Sequence, residues 1–184
     1  MTLALHAATL LEQANESLFN TQVEEPFQEE VADIVIENRF GIFSVPQQQV
    51  LSFSAGMLGF ETYRNFALLI IPGTKVEGPF RLLQSIEEAE LSFIVMTTDA
   101  KESFLCKEDV EDICARQGVV WDKLLLLHMV TLDKKNDGTV QMTVNARAPV
   151  VVDIASRMAQ QIVLSNPNYL LRLPVNQDGA IVTA

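Results

Sequence analysis

The chain has 184 residues, 48% of them hydrophobic and 20% charged, enough apolar material for one packed domain that needs neither a disulfide nor a structural metal. Its net charge of -11 and pI near 4.5 argue against direct binding to nucleic acid, because phosphate affinity comes from Lys and Arg displacing counterions. The same balance suits a basic partner or serves solubility.

In chain order, Leu3, Ala7, Leu10, Leu11, Ala14 and Leu18 recur at steps of three and four and predict an amphipathic helix from about Thr2 to Phe19, with His6 on it. Asn20 to Glu30 is polar and acidic and reads as a linker. Residues 1–30 hold six Glu and no Lys or Arg, so this extension carries -6 and the remainder -5. It is read either as a helix docked on its own domain or a loose tail, or as a detachable segment that meets a partner. No basic leader opens the chain, and every apolar run falls short of the ~18 residues that span a bilayer, so the chain is expected in the cytoplasm and off the membrane.

From Val31 onward, short apolar runs alternate with turn residues at the spacing of sandwiches and barrels. Strands are predicted near Asp33 to Glu37, Gly41 to Val45, Gln49 to Ser54, Phe66 to Ile71, Phe80 to Ile86 and Leu91 to Thr97. Lys107 to Arg116 reads as the one internal helix, with Glu108 and Asp109 at its positive end and Gly118 placed for a left-handed cap. Five further strands follow, at Lys123 to Leu132, Thr139 to Ala146, Val150 to Ile154, Gln160 to Leu164 and Tyr169 to Leu173. Asp137-Gly138 is expected to supply the positive φ angles of a tight hairpin between two of them. The fold class is therefore mainly β and largely antiparallel, with one domain over 31–175 and a tail over 176–184.

Reactive chemistry is sparse. Cys106 and Cys114 form no CxxC and read as reduced thiols. His128 interrupts an apolar strand with no acid or nucleophile beside it, which suits a hydrogen-bonded structural residue better than a ligand or base. Asp133 to Gly138 superficially resembles a calcium loop but has Lys135 and Val144 where ligands are required. No phosphate-binding loop, serine hydrolase elbow or metal cluster is present, so no enzymatic activity, metal or cofactor is expected. Two segments instead ask for special backbone. Phe53 to Phe60 contains Gly56 and Gly59 between aromatic anchors, and Val144 to Pro149 stops a strand at Asn145 before Pro149 forces Ala148 to extend.

Taken in order, these segments resemble the FliW family of flagellar assembly factors. The residues that carry the resemblance are Phe53, Gly56, Gly59 and Phe60; Pro79-Phe80 with Leu83-Gln84-Ser85 and Leu91-Ser92-Phe93; Asn145 with Ala148-Pro149; and Gln161 to Leu164 with Tyr169, Arg172 and Pro174. Ala146 and Arg147 stand where the family commonly has Leu and Lys, Leu173 where it has His, Ala100 to Val120 matches poorly, and residues 1–30 have no family counterpart.

The resemblance implies a β-barrel-like fold and a partner switch without catalysis. Such factors bind flagellin in the cytoplasm and, once flagellin is exported, bind the RNA-binding repressor CsrA, which frees flagellin mRNA for translation. The expected partner-binding residues are Phe60, Gln84, Asn145 and Arg147, on loops that a rigid scaffold presents. The alternative is a β-barrel that holds a small ligand or a flavin in its interior, with His128 as a lining residue.

Overall fold

The computed structural model describes residues 32–182 apart from Lys75 and Glu77, so the helix and acidic linker expected over 1–30 lie outside the described residues. The strands are β1 Ile34–Asn38, β2 Gly41–Val45, β3 Val50–Phe53, β4 Asn65–Leu69, β5 Phe80–Ser85, β6 Ser92–Asp99, β7 Leu124–Lys134, β8 Val140–Val144, β9 Val150–Asp153, β10 Met158–Gln161 and β11 Leu173–Val175. The helix, α1, is Lys107–Gln117.

Strands β3 to β7 form an antiparallel meander, β7 also pairs with β9, and β9 with β10. One parallel contact, Met158↔Ser52 and Ala159↔Phe53, joins β10 back to β3 and closes a seven-stranded barrel. Closure removes the open sheet edges that otherwise invite aggregation. Successive strand side chains alternate between the two faces of the wall, and the inward set fills the interior. Phe53, Phe66, Leu83, Val95, Leu127 and Val150 are all at most 2% exposed, with the Phe53 and Phe66 rings edge-on at 5.0 Å.

Three layers cover the outer wall. The β1–β2 hairpin lays Ile34, Ile36, Phe43 and Val45 on Val50, Ala67 and Leu69. Helix α1 seats Val110 and Ile113 on Leu124, Leu126 and Val151. β8 and β11, with Phe104, cover Met96, Phe80 and Val130. The residues after β11 continue this last layer, since Ile181 bridges Val175 and a Cβ on Gly179 would meet Pro79 at 2.9 Å.

The mainly β, largely antiparallel barrel with one internal helix is thus the fold observed, and Gly118 caps α1 at φ 66° as its place in the sequence suggests. Two local expectations change. Asp137 does not adopt positive φ; only Gly138 does, at 84°, while the Asp137 carboxylate accepts the Thr139 N–H and hydroxyl. The last two predicted strands shift to Met158–Gln161 and Leu173–Val175. Ile162 and Leu164 lie outside any strand, and their N–H groups go to the carbonyls of Pro149 and Arg147 at 3.0 and 2.9 Å, in a break of the neighbouring strand.

Candidate functional site

One mouth of the barrel gathers both special-backbone segments. Here β3 ends, β4 begins, β5 turns into β6, and β10 finishes opposite the start of β9. Between β3 and β4 the chain folds back tightly. Gly56 has φ 72°, and a Cβ there would lie 2.6 Å from the Glu61 Cα, so only glycine allows the crossing. A turn follows, with the Phe60 N–H donating to the Met57 carbonyl at 2.8 Å and Gly59 at φ 83°. Met57 is 2% exposed and plugs the barrel interior. Phe60, 37% exposed, stands edge-on against Phe93 at 5.1 Å, and Leu58 is 58% exposed. The turn thus drives one side chain inward and presents two apolar ones outward.

The second segment is a bulge. Val130 pairs with Val144 on β8 and Leu127 with Val150 on β9, so five residues, Asn145 to Pro149, face only His128 and Met129. Extra residues on one strand bend it, and here the bend sends β8 out of the barrel to meet β11. Asn145 holds the bend together: its Oδ1 accepts the N–H groups of Arg147 and Ala148 at 3.0 and 2.9 Å. Ala146 and Ala148 are buried while Arg147 is half-buried at the rim. The Ala146 N–H donates to Leu170, which with Leu171 and Val163 adds exposed apolar surface to the segments flanking the bulge.

His128 supports the bulge from behind. It is fully buried on the outer side of the wall, between the inward-facing Leu127 and Met129, with its ring 4.4 Å from that of Phe104. Nδ1 lies 3.3 Å from the Asn145 carbonyl and Nε2 3.3 Å from the Thr98 hydroxyl. Burial pushes its pKa down to about 4, so the ring is neutral at neutral pH. It does not line the barrel interior, where apolar side chains occupy the space that a bound flavin would need.

Gln84 departs from the contact role expected of it. It is 0% exposed, its Oε1 accepts the Asn38 amide at 2.6 Å, and its Nε2 faces the carbonyls of Ser85, Ala89 and Leu91 at 2.9 to 3.1 Å. The side chain shapes the β5–β6 turn from within, because buried polar groups must be satisfied locally. Phe60 lies on one loop of the mouth, and Asn145 and Arg147 on the other, Phe60 and Arg147 with accessible surface and Asn145 as the residue that folds the bulge. Leu58 and Gln161 are not among the partner-binding residues expected from the sequence, although Gln161 is one of those that carry the family resemblance. For Gln161 a signal exists, since alternation from Ala159 puts this polar residue on the inward face of a barrel strand.

Elsewhere, an open groove of about 420 Å³ runs between the β1–β2 hairpin and β3, lined by Ile34, Val50, Ser52 and Arg157. At the start of α1 the Asp109 carboxylate accepts bonds from Tyr169, Cys106 and Asn166, chiefly the Tyr169 hydroxyl at 2.6 Å, which hold its pKa below the usual range. Among the described residues no group of three or more His, Cys, Asp or Glu is placed to hold a metal, and no helix is long and apolar enough to cross a membrane.

The family model described as FliW protein matches residues 34–175. Flagellar assembly factor FliW of Bdellovibrio bacteriovorus is 35% identical over 146 residues, covering 77% of this chain and 78% of that protein. The protein of the same name from Geobacter sulfurreducens is 33% identical over 150 residues, covering 79% and 88%. A solved structure, the crystal structure of the flagellar assembly factor FliW, superposes with a TM-score of 0.56 at 23% identity, covering 76% of this chain and 95% of the other, which speaks to the fold.

Proposed function

The chain belongs to the FliW family and is a flagellar assembly factor, and from that premise we propose that it acts in the cytoplasm as a non-enzymatic partner switch. It holds flagellin before export and, when flagellin leaves, binds and antagonises the repressor CsrA. The observation that carries this reading is the barrel mouth. Leu58 and Phe60 are exposed on a turn whose backbone is fixed by Gly56 and plugged by Met57, and Gln161 ties that turn to the bulge that Asn145 fixes and that carries Arg147. Aromatic and arginine side chains on a rigid frame are the residues that dominate binding energy at interfaces, and pre-ordering them removes an entropic cost of association. The net charge of -11 adds attraction for a basic RNA-binding protein while disfavouring RNA on the same complex.

The test is titration of the full chain with the source organism's flagellin and CsrA, singly and in competition. Phe60→Ala is expected to weaken the flagellin complex by roughly tenfold or more, and Arg147→Ala by several-fold, as for central interface residues. Association with the basic repressor should slow as salt is raised. Binding of neither protein would end the switch reading; binding unaffected by both substitutions would move the surface away from this mouth.

A further inference from the structure

We infer that Gln161 is a positioning residue that sets the placement of Phe60 relative to Arg147, a role that rests on the barrel mouth being the partner surface. Gln161 ends β10 opposite Val150 and points inward by alternation. Its Oε1 accepts the Leu58 N–H at 3.1 Å and its Nε2 donates to the Ala148 carbonyl at 3.1 Å. Leu58 lies inside the Met57 to Phe60 turn, and Ala148 directly follows Arg147 in the bulge. One amide therefore spans the two loops that carry the exposed groups.

Other amides near this mouth do not join these two loops. Asn145 closes its own bulge, and Gln84 serves the β5–β6 turn and Asn38. Only a side chain with both a donor and an acceptor on one short stem can bridge an N–H on one loop and a C=O on another. A carboxylate at 161 would keep the Leu58 bond and set an acceptor against the Ala148 carbonyl. A methionine would keep the volume and lose both bonds.

The experiment uses the full chain with Gln161→Met and Gln161→Glu, reading amide hydrogen exchange in the free protein and affinity for flagellin. In Gln161→Met the Leu58 amide should exchange roughly tenfold faster, the scale of one lost hydrogen bond, with the interior amides of Val95 and Leu127 unchanged. Flagellin affinity should fall by a similar factor. In Gln161→Glu the Leu58 amide should stay slow while affinity still falls. Combining Gln161→Met with Phe60→Ala should cost less than the sum of the two single losses, because Gln161 acts through the turn that carries Phe60.

Intact affinity in Gln161→Met beside a loss in Phe60→Ala overturns the positioning role and leaves the surface reading standing. Faster exchange that spreads to Val95 and Leu127 marks a general stability role and overturns it too. If neither Phe60→Ala nor Arg147→Ala weakens binding, the surface reading fails and this role falls with it.

Discussion

Mild acidification should destabilise the protein through a single side chain, His128. The ring is buried with a pKa of about 4, against 6.5 for a free histidine, because burial disfavours the cation. Its neighbours are the Thr98 hydroxyl, the Asn145 carbonyl and the Phe104 ring, none of which carries a countercharge. Between pH ~4 and ~6.5 the unfolded chain binds the proton and the folded one does not, so stability falls as pH falls through that window. The full contribution is present above pH ~6.5, and the whole effect is about 3 kcal/mol, of which about 2 kcal/mol is lost by pH ~5. That is a large part of the 5 to 15 kcal/mol typical of a domain. Carboxylates held low, such as Asp109 and Asp153, act in the same direction but only nearer their own lower range. Urea unfolding of the native chain and of His128→Gln at several pH values between ~7 and ~5 isolates the histidine, since His6 is common to both. The native chain should lose about 2 kcal/mol across this interval and the variant much less. Parallel profiles would refute a buried neutral ring.

Three further outcomes are expected. Gly56→Ala should cost about 3 kcal/mol in urea unfolding, since it adds both positive-φ strain and a clash with the Glu61 backbone, whereas Gly59→Ala, with open space around it, should cost only about 1 kcal/mol. Tyr169→Phe removes the strongest support of the Asp109 carboxylate. By NMR titration the Asp109 pKa should rise toward the ordinary range, and stability at neutral pH should drop by about 1 to 2 kcal/mol. The Thr143 hydroxyl is buried with no hydrogen-bond partner among the described residues, so Thr143→Val should raise stability by about 1 kcal/mol, read as a higher urea midpoint.

What the sequence makes legible here is local. Gly118 and Gly138 mark turns whose geometry is decided within a few residues, and Asn145 with Pro149 announces a break because both act on their own neighbours. The parallel closure of β10 on β3 leaves no such trace, since it rests on two residue pairs more than a hundred positions apart in the chain. Gln84 misleads for a related reason. A glutamine in a strand beside a turn resembles a surface residue, and only the fold reveals that the β5–β6 turn wraps its amide. His128 is intermediate, because its apolar neighbours signal burial but not which side of the wall it faces.

The mouth is held by two kinds of side chain: Glu61 and Glu87 accept the N–H groups of Gly59, Arg64 and Asn65, and Arg64 donates to the Ser54 carbonyl, while uncharged amides hold the Asn145 bulge and its link to the Met57 to Phe60 turn. A loop whose N–H and C=O groups are turned away from a ladder needs partners. Lysine or glutamate could supply only one kind of bond, and each would bring a charge to the rim. Gln84, Asn145 and Gln161 supply donors, acceptors or both with no net charge. At the bulge and at the Gln161 bridge, loop shape is thereby set without a charge: net charge sets the long-range attraction that governs encounter, and these amides set geometry that governs how long a complex lasts. Changing a rim charge should therefore act mainly on association rate, and changing Gln161 mainly on dissociation rate.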